Sequence, residues 1–162
     1  FSNHVAATDM PNIFTEMFLH WFVWIGGAGA TLALVCLFLT SKSVYLKELG
    51  KIGFLPGLFN INEPIIFGAP IVMNPTLTIP FILSPLVMTV IAYLATITHI
   101  IPMTVSRTVF TVPSPIGAMM VTNWHIMAGI LVVINFLVSL VIYYPFFKVF
   151  EKEQLASEGD ES

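Results

Sequence analysis

The sequence predicts an all-α integral membrane fold, with about three transmembrane helices and two re-entrant or broken segments. Three observations predict it. Of the 162 residues, 57% are hydrophobic and only 9% charged, and the mean hydropathy is +0.91. A soluble domain carries about 25% charged residues, so these charges are too few to cover a water-facing surface. They are also unevenly spread. Stretches of 25, 43 and 40 residues without Asp, Glu, Lys or Arg separate Glu16 from Lys42, Glu63 from Arg107, and Arg107 from Lys148. A helix crosses the hydrocarbon core with about 20 residues. Finally, two places within the apolar sequence are dense in proline, glycine and asparagine.

Residues 1–15 are polar and mixed, with Pro11 as a breaker, and read as a loop at one membrane face. A first span is expected over 17–40, with Trp21 and Trp24 at headgroup level. Inside it lies Gly26-Gly27-Ala28-Gly29-Ala30. The favoured reading of this run is close helix packing through small residues, and the alternative is a kink that brings backbone near a solute. Residues 41–53, with Lys42, Lys47, Glu48 and Lys51, read as a short solvated connection.

Residues 54–75 are apolar but punctuated by Pro56, Pro64, Pro70 and Pro75, by Gly57 and Gly68, and by Asn60, Asn62 and Asn74. Proline removes a backbone donor and breaks helices. Open backbone at membrane depth is tolerated only when buried in protein or lining a cavity. The segment is therefore expected to be a re-entrant hairpin. A second span follows over 77–101, and a second broken stretch over 102–122 carries Pro102, Arg107, Pro113, Pro115 and Gly117. The third span is expected over 126–147, closed by Tyr143, Tyr144 and Lys148 at the interface. Residues 151–162 form an acidic tail, expected to be disordered or helical for a turn or two. If 54–75 returns to its own side, five lysines share one face with the tail and Arg107 stands alone opposite. The positive-inside bias then puts the C-terminus in the cytoplasm.

The composition excludes several functions. Six scattered basic residues form no nucleic-acid footprint. No phosphate-cradling glycine motif is present, no residues have metal-ligand spacing, and no cofactor is called for. Cys36 is the single cysteine and lies in an apolar run, so it reads as a small packing residue. The chain opens at Phe1 with no leader-like pattern and is read as the C-terminal part of a longer protein.

Glu63 is the strongest candidate for function. A carboxylate at a transmembrane helix centre costs roughly 2.5–3.5 kcal/mol on insertion scales. A protonated state, a cationic partner or a polar ligand must offset that. Asn60, Asn62 and Asn74 lie near it in sequence, and amides beside a carboxylate on opened backbone suit a hydroxyl-rich solute. The plainer reading puts Glu63 in water at the start of a helix beginning at Pro64. Arg107 reads as an outer-face anchor, and His20 and His99 as interfacial residues. His125, Phe59, Phe67, Phe110 and Trp124 are possible solute contacts, each more readily explained as packing.

The run Asn60-Ile61-Asn62-Glu63-Pro64-Ile65-Ile66-Phe67-Gly68-Ala69-Pro70-Ile71-Val72-Met73-Asn74-Pro75 closely resembles the membrane subunit, enzyme IIC, of the bacterial phosphoenolpyruvate-dependent sugar phosphotransferase system, lactose/cellobiose/diacetylchitobiose family. Phe22 to Leu32 and Tyr143 to Lys148 support the likeness. The resemblance implies part of a larger helical permease that is homodimeric in the bacterial cell membrane. It implies a β-linked disaccharide as substrate, bound by Glu63 on a re-entrant hairpin and by Phe110, Thr111 and Pro113 from the second broken stretch. It also implies cytoplasmic enzyme IIB and IIA subunits as phosphoryl-carrying partners. The family's site histidine would lie upstream of Phe1. Cys36, in a span, cannot stand for the phosphoryl-carrying cysteine, so this chain has no phosphoryl carrier of its own. The competing readings are a proton- or ion-coupled secondary transporter in which Glu63 titrates, and a non-transporting membrane scaffold.

Overall fold

The computed structural model describes residues 15–104 and 112–160. Among these residues the chain is helical throughout, without a strand. Helix α1 (Glu16–Phe22) starts where the Thr15 hydroxyl accepts from the Phe18 N–H at 3.1 Å, satisfying one of the donors that a helix start leaves unpaired. The chain then leaves the helix at Val23 and re-enters it in α2 (Leu32–Leu39). The 17–40 stretch is thus two short helices around an opened loop, and the small-residue run makes the break. Gly26, Gly27 and Gly29 sit at φ of 81°, 96° and 80°, a region L side chains rarely enter.

Helix α3 (Val44–Leu58) begins at Ser43, whose hydroxyl accepts from the Leu46 N–H at 3.2 Å. The expected connection over 41–53 is therefore only its first few residues, and the lysines ride on a capped helix. A turn at 59–62 leads to α4 (Glu63–Gly68), and a 3-10 turn (Ile71–Met73) follows. The prolines and glycines of 54–75 do interrupt this segment. The Tyr45 hydroxyl donates to the Gly68 carbonyl at 2.6 Å and ties the end of α4 back to the start of α3.

Helix α5 (Pro75–Ile97) opens with proline, and the Asn74 side chain accepts from the Thr76 N–H at 2.9 Å. At 1.5 Å per residue it is about 34 Å long, enough to cross a bilayer. Pro80 and Pro85 lie inside it without ending it. Helix α6 (Ser114–Val121) is short and begins at Pro113. Helix α7 (Ile126–Asp160) is about 52 Å long. Its first 22 residues match the expected third span, and the expected tail is its continuation. Glu, Lys, Gln, Leu and Ala are good helix formers, and Glu151 and Glu158 give the extension something to hold. Buried Glu151 accepts from the Ser41 hydroxyl and the Lys42 N–H, both at 2.7 Å. Glu158 accepts from the Ser43 hydroxyl at 2.5 Å and the Tyr45 N–H at 3.2 Å.

The interior has two apolar clusters. One joins α1, the far half of α5, α6 and the start of α7 around Phe18, Trp21, Phe22 and Met88. The other joins α2, α3, α4 and the later part of α7 around Leu34, Phe38, Tyr143 and Phe147. Val23, Ile25 and Ala30 of the opened loop at 23–31 belong to the first cluster, and the second begins at Ala33 of α2. Outward faces stay apolar: Ile79, Ile82, Leu86 and Val90 on α5 are half or more exposed, as a surface toward lipid or further helices requires.

Candidate functional site

The site is built where three interruptions of helix meet: the loop at 23–31, the turn at 59–62, and the entry to α6. Each opening frees backbone groups that lipid cannot satisfy. Polar side chains take them up in turn. The Asn60 carbonyl oxygen Oδ1 accepts from the Gly26 N–H at 3.0 Å and from the Ser114 hydroxyl at 2.7 Å. The Asn60 amide Nδ2 donates to the Val112 carbonyl at 3.4 Å. One asparagine thus touches all three breaks. The Asn62 Nδ2 donates to the Ala28 carbonyl at 2.7 Å and to the Thr31 hydroxyl oxygen at 3.0 Å. The Thr31 hydroxyl donates onward to the Gly26 carbonyl at 2.8 Å.

Helix α7 supplies the other side. Asn135, Ser139 and Tyr143 recur every four residues and so share one face. Asn135 Nδ2 donates to the Phe22 carbonyl at 2.8 Å, Ser139 Oγ to Ala30 at 3.3 Å, and the Tyr143 hydroxyl to Gly29 at 2.7 Å. All three are buried. Ser139 also meets Ser84 of α5 at 2.7 Å. None of these α7 residues was expected at the site. Their signal was present as three polar groups at i, i+4 and i+8 in an otherwise apolar span, matched to a glycine run that had to find partners.

Glu63 differs from its neighbours. It is the first residue of α4, beside the buried Asn62, yet its own side chain is exposed. Pro64 fills the first turn, as the plainer reading of the sequence required. The ion pairs among the described residues join Lys51 to Glu48 and Lys148 to Glu151 and do not involve Glu63. Asn60, Asn62 and Glu63 come together at one turn. Asn74 stands at the other end of α4, half-buried, as the cap of α5. Pro113 lines an apolar cleft of about 380 Å³ with Ile25, Cys36, Phe54, Leu58 and Phe136. Phe110 and Thr111 lie outside the described residues, as does Arg107. Phe67, Trp124 and His125 are exposed and Phe59 marginally so. Among the described residues no three His, Cys, Asp or Glu side chains gather as a metal site. Chemically, the turn presents one carboxylate, an acceptor of up to four hydrogen bonds, on a frame whose asparagine side chains are hydrogen-bonded to the surrounding loops.

Residues 2–85 match the family model described as "Phosphotransferase system, EIIC". The lichenan permease IIC component of Bacillus subtilis (strain 168) is 43% identical over 157 residues, which are 96% of this chain and 35% of that protein. The cellobiose-specific EIIC component of Geobacillus stearothermophilus is 43% identical over 152 residues, 93% of this chain and 34% of the relative. The crystal structure of the transporter ChbC, the IIC component from the N,N'-diacetylchitobiose-specific phosphotransferase system, superposes with a TM-score of 0.89 at 39% identity, covering 93% of this chain and 35% of that one. The chain therefore spans about a third of the length of the curated relatives it matches. Its all-helical fold is that of a segment of such a protein, and the chain belongs to the phosphotransferase system EIIC family.

Proposed function

We propose that the protein containing this chain is a sugar-specific permease component of the phosphoenolpyruvate-dependent phosphotransferase system. It binds a β-linked disaccharide of the cellobiose, lactose or chitobiose type and moves it inward for phosphorylation by a partner subunit. The observation that carries this reading is Glu63: an exposed carboxylate at the head of α4, on a turn whose neighbouring Asn60 and Asn62 amides are hydrogen-bonded to backbone groups and to the Ser114 and Thr31 hydroxyls. A sugar hydroxyl is the donor such a carboxylate lacks. The names of the similar proteins, after lichenan, cellobiose and diacetylchitobiose, support a β-linked substrate. The family resemblance adds Phe110, Thr111 and Pro113 as further sugar contacts, and Asn60, Asn62 and Asn74 complete the proposed set.

In this reading the protein is a multi-pass component of the bacterial plasma membrane. It works as a homodimer with cytoplasmic IIB and IIA subunits, and its C-terminus is cytoplasmic. The lysine distribution supports that orientation: Lys42, Lys47, Lys51, Lys148 and Lys152 share the side on which α7 emerges, and Glu151 and Glu158 reach back to the α2–α3 connection there.

Equilibrium binding of radiolabelled cellobiose to the complete permease tests the reading. Glu63→Gln keeps the shape and removes the charge. Loss of a charge-assisted hydrogen bond, about 1.5–3 kcal/mol, raises Kd by roughly ten- to a hundredfold with the same pH dependence. Unchanged sugar binding with lost proton coupling sinks it and favours a proton-coupled transporter.

A further inference from the structure

We propose that Thr31 is a positioning residue for Glu63. The inference rests on the reading of Glu63 as the sugar ligand and adds a residue that the sequence did not point to. Thr31 is the last residue of the opened loop and is completely buried. A hydroxyl carries one donor and two acceptor sites, and here it uses both kinds. It donates to the Gly26 carbonyl at 2.8 Å and accepts from Asn62 Nδ2 at 3.0 Å. The second N–H of that amide goes to Ala28 at 2.7 Å. Both donors of Asn62 are thereby fixed on the loop.

Asn62 precedes Glu63 in the chain, and Pro64 follows with its φ locked by the ring. Glu63 is held between a side chain pinned on one side and a ring on the other. Gly27 completes the socket. A Cβ there would lie 2.5 Å from Asn62 Cγ, so the amide occupies space that any other residue would fill. Thr31 joins the loop to the turn from a position no solute can reach. If the hydroxyl is lost, Asn62 keeps one partner and gains freedom to rotate, and the direction of the Glu63 carboxylate shifts with it. Misplacement of a binding group by about 1 Å is enough to lower performance up to a hundredfold.

The test uses the complete permease in detergent and equilibrium binding of radiolabelled cellobiose, read as Kd and as the number of sites per protein. Thr31→Val keeps the shape without the hydroxyl; Thr31→Ser keeps the hydroxyl. Thr31→Val is expected to raise Kd on the order of tenfold with the number of sites unchanged, and Thr31→Ser to stay within about twofold of the parent. The proposal is overturned if Thr31→Val binds as the parent does, if it loses sites without a change in Kd, or if Thr31→Ser is no better than Thr31→Val. Should Thr31→Val not fold, Thr31→Ala carries the same reading. Failure of both to fold assigns Thr31 to the fold and also overturns the proposal. Glu63→Gln is run in parallel: an unchanged Kd there removes the ligand reading itself, whatever Thr31 does.

Discussion

Replacing Glu151 with Gln should loosen the C-terminal part of α7 from the α2–α3 connection, and the structure gives the size of the effect. The Glu151 carboxylate is buried, which by itself raises its pKa. Hydrogen bonds from Lys148, the Ser41 hydroxyl and the Lys42 N–H outweigh that and lower the pKa from its ordinary 4.5 to about 2. A carboxyl held that low contributes on the order of 3 kcal/mol at neutral pH. The Lys148 side chain is 43% exposed, so the ion pair supplies at most about 1 kcal/mol of this. The rest comes from Ser41 and Lys42. Gln retains an oxygen that faces both donors and loses the charge, so Glu151→Gln should cost about 1–2 kcal/mol and Glu151→Ala about 3 kcal/mol. In a complete permease about three times as long as this chain the shift is about 1 °C per kcal/mol, so the Gln variant should melt about 1–2 °C lower in detergent at pH 7. The pH dependence gives the sharper check. A carboxyl whose pKa is depressed on folding contributes fully above its unfolded value, and the contribution disappears as pH falls through the folded value. The gap between parent and Gln variant should therefore be constant from pH 7 to about 5 and should narrow as pH falls from 4.5 toward 2. Glu158 titrates in both proteins and cancels from the difference. A gap independent of pH would refute the reasoning.

Two further outcomes follow from the same packing. Tyr143→Phe leaves the Gly29 carbonyl without its buried donor; hydrogen bonds between membrane helices average about 0.6 kcal/mol and reach 1–2, so a loss of about 1 kcal/mol is expected in SDS unfolding, and a variant as stable as the parent would contradict the bond. Gly117→Ala sets a Cβ at 2.1 Å from the ring of the fully buried Trp21; overpacking of this kind costs about 1–3 kcal/mol, Trp21→Phe should recover part of it, and strict additivity of the two changes in thermal melting would show that they do not share a contact.

Much of the fold could be read from the sequence because lipid imposes blunt constraints. Apolar length gave α5 and the first part of α7, and clustered proline and glycine gave the interruptions near Asn60 and Glu63. Breaker residues alone did not locate every break. Pro80 and Pro85 remain within α5, whereas Gly26, Gly27 and Gly29 open the 17–40 stretch. Glycine opens a helix only if other groups take up the freed backbone, and here Asn60, Asn62, Thr31, Asn135, Ser139 and Tyr143 do so. That dependence is spread over more than a hundred positions of chain, so no local window contains it. The 41–53 stretch and the 151–160 extension carry more helix than their charge predicts, because the Ser43 cap and the reach of Glu151 and Glu158 hold both in place. At the site itself, Glu63 stood out by chemistry, while the bonds of Asn60 and Asn62 to the loop backbone and to Ser114 and Thr31 could not be read from their neighbours in sequence.

Helix α7 carries the partners of the opened loop at Asn135, Ser139 and Tyr143, and the groups that hold the α2–α3 connection at Glu151 and Glu158. Tyr143 and Glu151 are eight residues apart, about 12 Å along the same helix, which runs on through Pro145. The helix therefore works as a ruler with two engraved marks. Its phase matters as much as its length, because each residue advances about 100° around the axis. One residue added between the marks would leave every side chain in place chemically and put one set on the wrong side. An insertion or deletion between the marks is thus far more disruptive than a substitution there.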